Sequence, residues 1–143
     1  MKFDKDFLGR LFEQAVANPR LRQNYDLRTS PADNSQRMLN ALLPGTVVPI
    51  HRHPNSTETV ICLCGKLDEV IYEKSIVSED KEEYREVQRI HLCPAEANYG
   101  CQIPKGAWHT VEVIEPSVIF EAKDGKYGED GSETLDNYKA NKK

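Results

Sequence analysis

Apolar residues follow two rhythms along this chain. From Phe3 to Val16 they recur every three or four positions (Phe3, Phe7, Leu8, Leu11, Phe12, Ala15, Val16), the spacing of one helix face. Asp4 stands where an N-cap belongs, and Asn18-Pro19 where the helix must stop. Such a stripe is expected to lie on the outside of a sheet or on a partner subunit. Residues 19–35 are polar and turn-rich and predict a loop with at most one short strand.

From Gln36 onward the rhythm shortens to that of strands. Gln36–Leu43 reads as a strand stopped by Pro44-Gly45, and Thr46–His53 as the next. Glu58–Cys64 is closed by Gly65-Lys66, and Leu67–Val77 follows it. The charged run Ser78-Glu79-Asp80-Lys81-Glu82-Glu83 reads as a solvated hairpin tip. In Tyr84–Leu92, Val87 and Ile90 differ in parity, which points to a bulge or an edge position. Cys101–Ile103, Ala107–Ile114 and Ser117–Lys123 supply the last strand pieces. Residues 124–143 are glycine-rich and charged, without periodicity, and read as an extended or partly disordered polar tail. The pattern predicts an all-β sandwich or barrel behind one N-terminal α-helix. Its parts would be a helix and loop over 1–35, a barrel over 36–123 and a tail over 124–143.

Composition narrows the function classes. A net charge of −4 over 143 residues argues against general nucleic-acid binding. No apolar run has the length of a membrane span. Asp4 and Asp6 stand where a signal peptide would be basic, so a cytoplasmic protein is expected. Neither a phosphate-cradling GxxxxGK[ST] segment nor a GxSxG elbow is present. The four cysteines (Cys62, Cys64, Cys93, Cys101) form no CxxC pair and are expected as free buried thiols. The sharper alternative is that Cys62 and Cys64, two apart on a strand, line a pocket and offer a soft ligand.

The chemistry concentrates at His51-Arg52-His53 and Glu58. On a strand, His51 and His53 project from one face, and Arg52 points away. Glu58 is an odd seven residues from His51, so a continuous strand would put it on the opposite face. A turn at Pro54-Asn55-Ser56 can restore it. Imidazole and carboxylate suit a borderline divalent ion. His109, behind Pro104-Lys105-Gly106-Ala107-Trp108, completes a set that a closed β-roll could gather around one divalent metal: Zn, Fe, Mn, Ni or Co. By parity, Val60, Cys62 and Cys64 should share the face of Glu58, and Val111 and Val113 that of His109. Trp108 should face away or cap the rim. His91 has no partner at ligand spacing and reads as structural or exposed.

These residues carry a resemblance. Gly45, His51, His53, Glu58 and Gly65 stand at the spacings of the first cupin motif, and Pro104-Lys105-Gly106-Ala107-Trp108-His109 resembles the second. Asn98 stands where the second motif has its leading glycine, and Val113 where it closes on asparagine. More narrowly, the chain resembles the WbuC family of cupin-fold metalloproteins over roughly residues 1–128. That likeness rests on Asn18–Tyr25, Gln36–Leu42, His51–His53, Trp108–Thr110 and Phe120–Tyr127. It implies a double-stranded β-helix, a small jelly roll curled around a pocket. It also implies a metal, a link to bacterial surface polysaccharide, and, as in many cupins, a homodimer.

Polar candidates for holding a small molecule are Asn24, Tyr25, Arg37, Asn40, Glu121 and Lys123, with Arg37 the first choice for gripping an anionic group. Three readings follow. One is a metal-dependent isomerase or epimerase acting on a sugar or nucleotide-sugar. Another is an iron-dependent dioxygenase. The third is a metal-stabilised binding protein without turnover.

Overall fold

A computed structural model describes residues 1–126 and 131–135. Helix α1 (Lys5–Ala17) is followed by β1 (Arg22–Asp26), β2 (Ser35–Leu42) and a two-residue β3 (His51–Arg52). Two long strands, β4 (Glu58–Ser78) and β5 (Lys81–Leu92), form a hairpin. A 3-10 turn (Pro94–Glu96), β6 (Gly100–Ile103), β7 (Trp108–Asp124) and a short β8 (Glu133–Thr134) complete the elements among the described residues. All eight strands join one sheet whose central path runs β1-β2-β7-β3-β8, with β4 pairing β5, β6 and β7. The sheet curls into a half-barrel behind one helix, as the all-β cupin reading requires. No helix among the described residues is long and apolar enough to cross a membrane.

The helix begins where its sequence says: Asp4 Oδ1 accepts a hydrogen bond from Phe7 N at 2.9 Å. Phe7, Leu11 and Ala15 bury against Leu39, Ala41 and Val118 on the outer face of the sheet. The two ends of the predicted stripe, Phe3 and Val16, are exposed instead. The inner face carries a second core that includes Val60, Cys62, Leu67, Ile71, Val111 and Ile119, with Val113 packed against it. β2 divides between the two by parity: Leu39 and Ala41 face the helix, and Leu42 faces the interior.

Three sequence expectations need correction. Glu58–Cys64 and Leu67–Val77 are one strand, and so are Ala107–Ile114 and Ser117–Lys123 from Trp108 on. Gly65 ends nothing. It sits at φ +94° amid register shifts between Cys62 and Leu67, so the strand bends and continues. This slip reverses which face later residues present. Cys64 therefore packs on the helix side, whereas Val60 and Cys62 stay inside as expected.

Thr46–His53 is a strand only at its end. Pro49 lacks a ladder donor, and the carbonyls of residues 47–50 all bond elsewhere. Val47 O accepts from Arg22 Nη1 (2.9 Å), Val48 O from Thr110 Oγ1 (2.6 Å), Pro49 O from His51 Nδ1 (2.8 Å) and Ile50 O from Leu135 N (2.8 Å). The loop over 19–35 carries one short strand, β1, within the number expected, and it joins the sheet beside β2. Lastly, residues 131–135 of the expected polar tail return to the barrel, where β8 pairs with β3. The remaining tail residues, 127–130 and 136–143, lie outside the described residues.

Other expectations hold. Ile71 pairs with Gln88 and Tyr72 with Glu86, so Val87 is the extra residue of a bulge. Residues 78–83 form an exposed hairpin end.

Candidate metal centre and its cavity

β3 is short, but its pairing sets the site. His51 pairs directly with His109 of β7, and their rings lie 4.2 Å apart, centre to centre. A turn at Pro54-Asn55, held by a hydrogen bond from Gly106 N to His53 O (2.9 Å), sends the chain into β4 at Glu58. The parity argument for that turn is thereby met. Ligand-capable atoms of His51, His53 and His109 lie within 4.8 Å of one another. The Glu58 carboxylate adjoins them, 3.4 Å from His53 Nε2 and 3.6 Å from His109 Nε2.

The surrounding atoms fix the chemistry of the rings. His51 Nδ1 lies 2.8 Å from Pro49 O, and His109 Nδ1 2.9 Å from Ala107 O. A carbonyl can only accept, so each Nδ1 carries its proton and donates. In the neutral imidazole, Nε2 then presents a lone pair. His51 is held neutral to well below its usual range, at about 3, by burial and then by the neighbouring His109. His109 Nε2 is buried with no hydrogen-bond partner, and a Glu58 oxygen is its neighbour. A lone pair facing a carboxylate oxygen is unfavourable unless a cation lies between them. Burial would raise the Glu58 carboxyl. Close approach of His109 and His53 holds it below the ordinary carboxylate range, a pull that requires positive charge between ring and carboxylate, from a ring proton or from a bound cation. Donor set, tautomers and charge all fit one divalent metal.

His53 takes its outer partner from an unexpected place: its Nδ1 lies 2.7 Å from Ser132 Oγ. β8 holds that serine through Leu135 N to Ile50 O (2.8 Å) and through an Arg52–Glu133 ion pair (2.9 Å). Arg52 points away from the histidines, as expected, and its guanidinium stacks 4.6 Å over Trp108. The only sequence signal for this return was Thr134-Leu135, a β-capable pair after Gly131 in an otherwise polar stretch. Ser132→Ala should weaken metal affinity about 10- to 100-fold, the usual cost of losing an outer-shell partner. Titration against a competing chelator would measure it; an unchanged affinity would remove Ser132 from the site.

The cysteines stay outside the ligand set. All four are free thiols. Burial pushes Cys62 up to about 11 and Cys101 up to about 12, which disfavours the thiolate a metal needs. His91 is structural, bonded to Asp68 (2.7 Å) and Glu96 (3.2 Å).

A cavity of about 350 Å³ opens beside the histidines. Asn24, Asn40 and Glu121, three of the sequence candidates, line it with His51, His53 and Glu58. Arg37, Tyr25 and Lys123 do not. Arg37 has the helix-side parity of β2 and is taken by Asp33 at 2.6 Å, so it is not the anion grip its charge suggested. Tyr25 leans on Phe7, ring centres 5.3 Å apart. Lys123 is buried, and its Nζ donates to Gly125 O at 2.7 Å.

Sequence reasoning missed Arg20, Gln36, Met38 and Ser132 as lining residues. It also missed Glu69, an interior carboxyl pushed well up by burial and then by Glu58. Strand register lays out the inner wall in rows. Gln36 pairs with Lys123 near the level of Glu58, Met38–Glu121–Val60 form the next row, and Asn40–Ile119–Cys62 the one after.

Burial, then the Glu58 charge, pushes the Glu121 carboxyl up to about 8, against an opposing pull from Lys123. A folded-state value above the unfolded 4.5 means that the group favours folding at low pH. Metal-free protein in chelator should therefore lose stability as pH rises from 4.5 toward about 8. In Glu121→Gln that component should vanish. Urea denaturation across the range reads it, and an unaltered slope in the variant would assign the effect elsewhere.

Comparison with solved structures places the fold among cupins. Oxalate oxidase in complex with glycolate superposes with a TM-score of 0.55 at 19% identity, covering 84% of this chain and 58% of that one. A cupin 2 domain-containing protein from Halorhodospira halophila gives 0.54 at 19% identity, covering 85% and 73%. Bacillus subtilis oxalate decarboxylase, a protein with Mn(II) centres, gives 0.52 at 22% identity, covering 82% and 28%. The chain thus spans little more than half the length of the oxalate oxidase it matches. No curated protein matches it in sequence. A family model described as a domain of unknown function, DUF6016, matches residues 3–84, from the helix through β3 into the β4–β5 hairpin, and the chain belongs to that family.

Proposed function

We propose that this protein is a metal-dependent cupin enzyme that isomerises or epimerises a small sugar or nucleotide-sugar. This is the role its WbuC-family likeness suggests in surface polysaccharide metabolism. The observation that carries the metal is His109, whose Nδ1 proton is committed to a carbonyl while its Nε2 meets a carboxylate oxygen. A bound divalent ion would supply a Lewis acid for a carbonyl or hydroxyl oxygen. His51, His53, Glu58 and His109 would hold it, and manganese is the first ion to try, given the Mn(II) centres of the decarboxylase neighbour. Glu121, on the cavity wall one row from Glu58, is the residue placed to hold or move a proton.

Elemental analysis of untagged protein is the first test, followed by thermal shifts of the metal-loaded protein with nucleotide-sugars. Stoichiometric metal and a raised melting temperature are expected. Protein without metal would remove the basis of the proposal, and metal without any nucleotide-sugar response would remove the substrate class.

A second reading, an oxygen-using enzyme, draws on the likeness to oxalate oxidase. Oxygen uptake by the iron- or manganese-loaded protein with small carboxylic acids would favour it over isomerisation.

A further inference from the structure

The cavity wall holds two amides that the protein itself leaves unsatisfied. Gln36 is only 4% exposed, and its Oε1 has no hydrogen-bond partner. Asn40 Oδ1, four residues along on the same face of β2, is likewise buried and without one. Neither side chain donates or accepts any hydrogen bond among the described residues. Leaving such groups unmade costs stability, and native interiors rarely do so without a purpose. Both line the cavity beside the metal site, with Met38 between them.

Farther along the wall, Arg20 lines the cavity, and its guanidinium has no acidic partner among the described residues. Arg22 lines it too, anchored to Val47 O and Thr46 Oγ1. Residues 47–50 connect that end to His51. The cavity therefore has a metal end, a middle lined by amides and a cationic end.

From this we infer that the cavity takes an extended polyhydroxylated anion, with hydroxyls on Gln36 and Asn40 and its charged terminus at Arg20. This rests on the metal site proposed above. Amides read hydroxyls because each offers both a donor and an acceptor. An unclaimed guanidinium reads a carboxylate or a phosphate. Length separates this ligand from a two-carbon acid: four residues of strand set Gln36 and Asn40 about 13 Å apart at the backbone. A six-carbon sugar acid or sugar phosphate comes far nearer to spanning that distance than oxalate does. The anion grip assigned to Arg37 by sequence thus passes to Arg20, and Gln36 joins Asn40 as a specificity determinant.

The test compares thermal shifts of manganese-loaded wild type, Arg20→Gln and Gln36→Leu, with metal content measured in each sample. Probes are glucose 6-phosphate, galacturonate, glucose, inorganic phosphate and oxalate. In wild type, one or both sugar anions should bind at least about tenfold tighter than glucose, phosphate or oxalate. The stronger of the two identifies phosphate or carboxylate as the terminus. Arg20→Gln should erase the advantage over glucose, and Gln36→Leu should weaken sugar anions while leaving inorganic phosphate unchanged. Without ligand, Gln36→Leu should melt at a higher temperature than wild type, because an unsatisfied buried amide has been removed. Full metal occupancy with no preference for sugar anions, or a preference that survives Arg20→Gln, would overturn the inference. Absence of metal would instead count against the metal site itself.

Discussion

Replacing His109 with alanine should leave the protein folded and abolish the metal binding proposed for it. The imidazole joins the centre from the far side of the chain, and its partner across the ladder is His51. Without it, the set falls to His51, His53 and Glu58. Structural metal ligands of this type contribute several kcal/mol each, so affinity should drop by more than about a thousandfold. The apo fold should suffer less. The substitution leaves a small buried void but removes a ring whose Nε2 had no partner, and these effects oppose each other. Elemental analysis after dialysis reads the first effect and denaturation in chelator the second. Stoichiometric metal in His109→Ala would refute the ligand assignment. His51→Ala is the matched control from the other motif.

The largest effect on the fold should come from Gly65→Ala. A β-carbon there would run into the Pro116 carbonyl oxygen and Ser117 Oγ, and would lie 2.6 Å from Ser117 Cα. The residue also sits at φ +94°, where an L side chain is strained. Ser117 is fully buried and cannot move aside easily. Its hydroxyl accepts from Lys66 N (2.9 Å) and donates to Glu115 O (2.7 Å). Steric and torsional costs add, so a loss of about 3 kcal/mol or more is expected, read as a lower urea midpoint. A variant within about 0.5 kcal/mol of wild type would mean that the bend does not need glycine.

How legible all this was differs from one feature to the next. The helix, its Asp4 cap and the placing of His51, His53 and Glu58 side by side could be read from local spacing and parity, and His109 from the likeness of its segment to the second cupin motif. The turn that returns Glu58 to the histidines is a case in point. Strand breaks were harder. A glycine before a lysine looks the same whether it ends a strand or bends one, and only the approach of Pro116 and Ser117 decides for the bend. The false side assigned to Cys64 has a separate cause, the register shift between Cys62 and Cys64, which parity along one strand does not reveal. Arg37 shows the complementary limit. Its charge suggested a ligand contact, but parity on β2 and the reach of Asp33 place it elsewhere. Ser132 was out of range altogether, because a two-residue strand in a polar tail has no period to detect.

The clasp formed by residues 131–135 ties the proposed metal site to a distant segment of the chain. Because Ser132 touches His53, a metal bound by His53 would be coupled to the seating of that strand. Thermodynamic reciprocity then runs both ways: whatever affinity the seated strand lends the ion, the ion returns as grip on the strand. A fusion or cleavage near residue 131 would thus act as a change in metal affinity, although it lies more than seventy residues from the nearest carboxylate ligand, Glu58.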